Sequence, residues 1–117
     1  MNQHNRDIQL LSKMKLYCEE IEAARERFGD SLESLLSDTA YKNAIAMDIL
    51  QIGELVTHLT EEFKTTYSAQ PWRDINGMRN IAAHHYGDFD VEILWNTISE
   101  RIPELKSYCQ TCIEDLK

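Results

Sequence analysis

The feature that most constrains the fold of this chain is a run of apolar residues spaced for one face of a long helix. Its members follow one another at steps of 4, 3, 4, 3 and 4 residues: Ile45, Ile49, Ile52, Val56, Leu59 and Phe63. This spacing keeps all six on one side of an α-helix and is typical of the buried seam of a helical bundle. Ser37 or Asp38 can accept the free amide hydrogens of the first turn. We therefore expect a helix from Thr39 to about Thr65.

Gly53 lies inside this expected helix. Glycine in a helix interior costs roughly 1 kcal/mol relative to alanine. A residue without a side chain permits another helix to approach closely, and the helix that follows in the chain is a candidate for that contact.

The segments on either side of the seam also have helical spacing. The first stripe has steps of 3, 3, 4 and 3 residues: Ile8, Leu11, Met14, Cys18 and Ile21. It predicts a helix from about Gln3 to Phe28, which Gly29 ends. We expect a short helical turn between Ser31 and Leu36. A third helix is expected from about Trp72 to His85, and Gly87 stops it.

The C-terminal third predicts a fourth helix and a further helical segment. Asp88 or Asp90 can cap the fourth helix, whose apolar positions are Val91, Leu94, Trp95 and Ile98. Pro103 predicts a kink or break near Arg101. The last segment is expected to bury Leu105, Tyr108, Cys109, Cys112 and Leu116. The expected fold is all-α, a four- to five-helix antiparallel bundle, with residues 1–117 forming one domain.

The charge balance excludes one class of nucleic-acid-binding protein. The formal net charge is −8, whereas proteins that coat nucleic acid use a broad basic face to neutralise phosphates. An enzyme with a small cluster of cations at one phosphate remains compatible with this charge. A subunit that docks onto a basic protein partner is equally compatible.

The three cysteines, Cys18, Cys109 and Cys112, form an odd set. An odd count suits free thiols, which we expect in the reducing cytoplasm. No apolar run approaches the length of a membrane span, so we expect no membrane association. Cys109 and Cys112 have C-x-x-C spacing, but a structural zinc ion needs four ligands. We therefore favour a partly buried helical stripe and expect no metal site.

The residues whose side chains are best suited to catalysis are concentrated between Arg79 and Tyr86. Arg79 and His84 form an R-x4-H pair, and Asn80, His85 and Tyr86 lie beside them. Positions five apart on a straight helix diverge by about 140°. Arg79 and His84 can therefore meet at one phosphate through the reach of the long Arg side chain, through unwinding near Gly87, or through a second copy of the helix. The last of these hints at a symmetric dimer.

These groups suit metal-free RNA cleavage. An imidazole can remove the proton of the 2′-hydroxyl or protonate the leaving 5′-oxygen, because its ordinary pKa lies near neutrality. A guanidinium is permanently charged and can stabilise the extra negative charge on phosphorus. The expected products are a 2′,3′-cyclic phosphate and a 5′-hydroxyl end. Without further evidence, the same residues also have a non-catalytic interpretation. His84 would then be a surface histidine, Arg79 would pair with a carboxylate, and Tyr86 would be half-buried.

The motif and its surroundings resemble the HepT-like branch of the HEPN superfamily. The residues that carry the resemblance are Pro71-Trp72-Arg73-Asp74-Ile75, Gly77-Met78-Arg79-Asn80-Ile81-Ala82-Ala83-His84-His85-Tyr86, Leu94-Trp95, Ile102-Pro103-Glu104-Leu105 and, on the preceding helix, Ile52-Gly53-Glu54. The resemblance extends from about Ile8 to Leu116. It implies a helical bundle that dimerises through the motif helix, so that paired R-x4-H motifs form a composite RNase cleft.

The resemblance also implies roles for individual residues. Arg79 and His84 are the expected catalytic pair, and Asn80 helps to shape the cleft. Relatives are typically toxins encoded beside a minimal nucleotidyltransferase antitoxin, which transfers AMP from ATP to the motif tyrosine, here Tyr86. ATP would then belong to the partner, and this chain would need no cofactor. His85 and Arg73 are candidate RNA contacts.

Two points stay open at the level of the sequence. Glu54 can pair with an arginine of the motif helix or face solvent, and we favour a structural role. The alternative function is a non-catalytic helical subunit that partners or regulates a minimal nucleotidyltransferase. Because this chain retains both Arg79 and His84, the ribonuclease is favoured. A bundle metalloprotein is discounted, since Glu54 and His58 have no counterpart on another helix.

Overall fold

The structure is a computed structural model that describes the backbone of residues 3–84 and 91–117 and the side chains of residues 5–80 and 91–117. The described residues form helices joined by short turns and contain no β-strand, so the expected all-α bundle is confirmed. Within these ranges, no helix is both long enough and apolar enough to cross a membrane.

Helix α1 spans Gln3–Phe28, as predicted. It ends at Gly29, whose φ of 120° lies in the region that only glycine enters at little cost. Helix α2 is a single short element, Leu32–Ser37. The Ser31 hydroxyl caps it by accepting the amide hydrogen of Ser34 at 3.1 Å.

Helix α3 spans Thr39–Val56, and Asp38 is its cap. One carboxylate oxygen of Asp38 accepts the amide hydrogens of Ala40 and Tyr41 at 2.9 and 3.3 Å. The predicted start of this helix is confirmed. The predicted end is wrong, because the chain leaves the helix after Val56 and a separate helix α4 spans Glu61–Thr66.

The break between α3 and α4 is made by Thr60 and by a side chain from α1. The Thr60 hydroxyl accepts the amide hydrogen of Phe63 at 3.0 Å and so starts a new helix. Asp7, which is almost fully buried, accepts the Thr60 hydroxyl at 3.1 Å and its amide at 3.4 Å. Leu59 and Phe63 stay buried on both sides of the break. The apolar stripe therefore continued where the helix did not.

Helix α5 spans Trp72–His84 and α6 spans Val91–Asn96. A π-helical segment, Thr97–Arg101, joins α6 to α7, which spans Ile102–Leu116. In place of the kink or break expected near Arg101, the helix continues with a wider turn, in which the Ile102 amide bonds the Thr97 carbonyl. Proline lacks an amide hydrogen and crowds the carbonyl four residues earlier, so widening just before Pro103 accommodates its ring.

The long helices pack in a fixed order. Helix α1 packs against α3 and α7, and α3 packs against α5.

The α1–α7 contact contains Cys18, Cys109 and Cys112, which are free thiols and fully buried. Burial raises the pKa of Cys18 to about 12 and that of Cys109 further. Of the residues expected to be buried on the last helix, Tyr108 and Leu116 are only partly covered.

Candidate functional site

Helix α5 carries Arg79 and lies unusually close to α3 at Gly53. A Cβ atom built on Gly53 would lie 2.1 Å from the Cγ atom of Arg79 and 3.2 Å from the carbonyl oxygen of Asn76. Any side chain at this position would overlap the arginine. The absence of one lets the aliphatic part of Arg79 lie directly on the α3 backbone. The expected close approach of the following helix at Gly53 is confirmed.

The charged end of Arg79 is held by Glu54, the residue that follows Gly53 on α3. Its Nη1 atom donates to the Oε1 atom of Glu54 at 2.7 Å. The side chains are 39% exposed for Arg79 and 54% exposed for Glu54. Of the two interpretations of Glu54, pairing with an arginine of the motif helix is the one that the structure shows. The guanidinium has five N–H donors, so one bond to Glu54 leaves others for a phosphate.

The second carboxylate oxygen of Glu54 faces His58, one turn further along. The His58 Nε2 atom lies 3.4 Å from Oε2 of Glu54, an ion pair only when the imidazole is protonated. Glu54 thus lies between the guanidinium of Arg79 on α5 and the imidazole of His58, just beyond the end of α3. The sequence pointed to the Glu54–His58 spacing only as a possible part of a metal site, and it gave no sign that both His58 and Arg79 contact Glu54.

Asn76 makes a second polar tie between the two helices. Its Nδ2 atom donates to the carbonyl oxygen of Gly53 at 3.0 Å. Asn76 lies one turn before Arg79 on α5, so the two side chains hold Gly53 and Glu54 from the same helix. Asn76 was not singled out from the sequence. Its spacing of three residues from Arg79 was the available signal, because such pairs are neighbours on a helix surface.

Two described residues of α5 that the sequence singled out lie on its solvent side. Arg73 and Asn80 are exposed, and a Cβ atom built on Gly77 would meet none of the described residues within 4 Å. Positions 73, 77, 80 and 84 repeat at steps of 4, 3 and 4 and share one helical face. Arg79 is rotated from position 84 by about 140°, because α5 stays helical through His84. The side chain of His84 and all of His85 and Tyr86 lie outside the described residues.

In the part of the chain that the structure describes, no three His, Cys, Asp or Glu side chains are grouped to hold a metal ion. The groups that Arg79 and its neighbours supply are hydrogen-bond donors, a carboxylate and an imidazole. Such a set can bind a phosphate and hold a cation in a fixed direction.

Comparison with known proteins gives one consistent match. Residues 14–112 match the family described as "Ribonuclease HepT-like". "Putative RNase TTE0752" of Caldanaerobacter subterraneus subsp. tengcongensis is 34% identical over 76% of this chain and 80% of its own length. "Probable ribonuclease HepT" of Thermococcus cleftensis is 35% identical over 63% of this chain and 67% of its own. "Putative RNase MJ0127" of Methanocaldococcus jannaschii is 26% identical, with shares of 74% and 72%. No solved structure matches this chain significantly.

Proposed function

We propose that this chain, which belongs to the HepT-like ribonuclease family, is a metal-independent endoribonuclease that acts through Arg79 and His84. The observation that carries the proposal is the geometry of Arg79. Its stem lies on Gly53 and its guanidinium is held at 2.7 Å by Glu54, yet 39% of the side chain stays exposed. A guanidinium that is held in one orientation and remains open to solvent can stabilise the negative charge that develops on a phosphate during the reaction.

The proposed reaction is an internal transesterification. A base removes the proton of the RNA 2′-hydroxyl, and the 2′-oxygen attacks the adjacent phosphorus. The bond from phosphorus to the 5′-oxygen breaks, and that oxygen takes a proton from an acid. The products are a 2′,3′-cyclic phosphate and a 5′-hydroxyl end. Arg79 stabilises the negative charge that develops on the phosphate oxygens, and His84 transfers a proton.

The proposed site is composite and spans two copies of the chain. Arg79 and position 84 diverge by about 140° along a helix that does not unwind between them. A two-fold axis at the exposed face of α5 would bring Arg79 of one copy towards His84 of the other. Gly77 lies on that face, none of the described residues comes within 4 Å of a Cβ atom built there, and it would permit close helix approach. Asn80, exposed on the same face, would help to shape the cleft.

The proposed biological setting is a toxin–antitoxin pair with a minimal nucleotidyltransferase. The partner would transfer AMP from ATP to the Tyr86 hydroxyl, releasing pyrophosphate. The added phosphate brings negative charge next to the motif, so RNA would be repelled as well as sterically blocked. His85 is proposed as a further RNA contact.

Cleavage of total RNA by the purified protein in the presence of a chelator is the direct test. We expect new 5′-hydroxyl and 2′,3′-cyclic phosphate ends, and we expect Arg79→Ala and His84→Ala to abolish them without changing the helical circular dichroism spectrum. Wild-type cleavage by both variants would refute the assignment. A protein that cuts no RNA but binds a nucleotidyltransferase tightly would support the non-catalytic alternative.

Mixing the two inactive variants tests the composite site. In a randomly mixed dimer population about half the dimers carry one chain of each kind, and each of these regains one of two sites. We expect about a quarter of wild-type activity to return. No recovery from a confirmed mixed dimer would show that an Arg79–His84 pair split between copies is insufficient.

Intact-mass measurement tests the regulation. Co-expression with a nucleotidyltransferase encoded beside this chain should add whole AMP units, and Tyr86→Phe should prevent the addition. An unchanged mass in the presence of active partner and ATP would refute the modification.

A further inference from the structure

A groove of about 510 Å³ is lined in part by Asn76, which lies one turn before Arg79 on α5. It is bounded by the end of α3, by α4 and by the first turns of α5. Most of its lining side chains can form hydrogen bonds: Thr57, Lys64, Thr65, Gln70, Arg73 and Asn76. These groups offer hydrogen bonds along a surface that also exposes apolar atoms, a combination that suits the phosphates and bases of a nucleic-acid strand.

The groove is continuous with the site through Asn76. This side chain lines the groove and donates to the Gly53 carbonyl, the same residue on which the stem of Arg79 lies. Asn76 and Arg79 are three residues apart and therefore adjacent on the surface of α5. The nucleotide next to a phosphate bound by Arg79 would therefore lie near Asn76 and the groove.

The charges of the groove differ from those of the chain as a whole. Two cations, Lys64 and Arg73, line it together with one carboxylate, Glu61, in a chain of net charge −8. Arg73 is exposed and makes no ion pair with the residues that the structure describes. Lys64 is paired with Glu61 at 3.0 Å, but the Glu61 side chain is 91% exposed. Because the Glu61 carboxylate is almost fully exposed to water, this pair is weak and Lys64 can exchange it for another anion.

We infer that this groove binds the single-stranded RNA next to the scissile phosphate, with Arg73 and Lys64 each contacting a backbone phosphate. The inference rests on the proposed ribonuclease function and adds a binding subsite to it. Glu61 opposes binding in two ways, since it competes with RNA for Lys64 and repels phosphates. Removing the Glu61 charge should therefore strengthen binding, which a merely structural role would not predict.

Glu61→Gln and Glu62→Gln form a matched pair, because both residues are exposed in the first turn of α4 and only Glu61 lines the groove. Binding is measured with a short labelled single-stranded RNA of mixed sequence and protein carrying His84→Ala to prevent cleavage. We expect Glu61→Gln to lower the dissociation constant roughly threefold to fivefold and Glu62→Gln to leave it within about a factor of two. Equal effects of the two substitutions would overturn the subsite.

Arg73→Gln and Lys13→Gln form a second matched pair, since both residues are exposed and Lys13 lies on α1, away from the groove. Arg73→Gln should weaken binding roughly fivefold and reduce the slope of log affinity against log salt by about 0.7, the value for one contact to single-stranded RNA. In the cleaving protein it should raise KM by a similar factor and leave kcat unchanged. Identical behaviour of the two variants would overturn the subsite.

The RNA-binding groove and the ribonuclease function can be disproved separately. If the wild-type chain cleaves RNA but both matched pairs show no difference, the subsite is wrong and the ribonuclease function stands. If RNA binds and the pairs differ but no cleavage occurs, the groove is an RNA site on a non-catalytic protein. If RNA is neither bound nor cleaved, both proposals are wrong.

Discussion

Glu54 of α3 accepts a 2.7 Å hydrogen bond from Arg79 of α5, although the two residues are 25 positions apart in the chain. The bond fixes the end of a side chain whose stem already lies on Gly53. A long arginine side chain loses up to about 2 kcal/mol of conformational entropy when it is held in one position. Contact at both ends means that this cost is met before RNA binds, so Arg79 is available in one orientation.

Replacing Glu54 with glutamine tests this arrangement. The amide oxygen can still accept a hydrogen bond, but the charge that holds the guanidinium is lost. We expect kcat for RNA cleavage to fall roughly fivefold to tenfold with little change in KM, corresponding to about 1 kcal/mol at the transition state. His58→Gln removes the other partner of Glu54 and should leave kcat near the wild-type value. A rise in kcat on Glu54→Gln would show instead that Glu54 holds Arg79 away from the phosphate.

Gly53→Ala should separate activity from stability. The new methyl group would meet Cγ of Arg79 at 2.1 Å, so the arginine stem must move. Alanine favours the helix by roughly 1 kcal/mol, and overpacking costs about 1–3 kcal/mol, so the net change in the free energy of unfolding should be small. We expect kcat to fall about tenfold while urea unfolding shifts by less than about 2 kcal/mol. Wild-type cleavage by this variant would contradict the role assigned to the Gly53–Arg79 contact.

Gly77→Arg tests the proposed dimer. A Cβ atom at Gly77 would meet none of the described residues within 4 Å, so the variant should fold and retain its helical spectrum. Across a two-fold axis at this face, two added cations would repel each other and block close approach. We expect a monomer in sedimentation and loss of RNA cleavage. A dimer with full activity would place the two-fold contact elsewhere.

The buried carboxyl of Asp48 makes stability depend on pH. Burial, a hydrogen bond with Glu20 and repulsion by its charge raise the pKa of Asp48 to about 7. The folded chain therefore binds this proton more tightly than the unfolded chain, in which the pKa is near 4. The stabilisation is fully present below about pH 4 and is lost progressively as the pH rises to about 7 and beyond.

Asp48→Asn should remove most of this dependence. We expect the variant to exceed the wild type in free energy of unfolding by about 2 kcal/mol at about pH 8, and the difference to shrink towards about pH 5. Urea unfolding at the two pH values measures it. Asp74→Asn is the control, because Asp74 is exposed on α5. If the wild-type chain instead became more stable relative to both variants as the pH rises from about 5 to about 8, the predicted sign would be wrong.

Features set by neighbouring residues were predictable from the sequence. The first helix has the predicted bounds, Gln3–Phe28, because a periodic stripe and Gly29 specify both ends locally. Asp38, one of the two residues expected to cap the second predicted helix, is the cap of α3. The lack of a side chain at Gly53 indicated close packing before the partner was known. The catalytic assignment to Arg79 and His84 came from the motif and its resemblance, and it stays a prediction.

Features that depend on residues far apart in the chain were decided only by the tertiary structure. The helix ends at Val56 because Asp7, 53 positions before Thr60, accepts the Thr60 hydroxyl and amide and so favours a new helix start. The sequence favoured a structural role for Glu54 but left its environment open, and the packing of α5 against α3 brings Arg79 within 2.7 Å. Helical periodicity records only contacts three or four residues apart. The partner of a charged side chain depends on which helices meet, and this is decided by packing of the whole core.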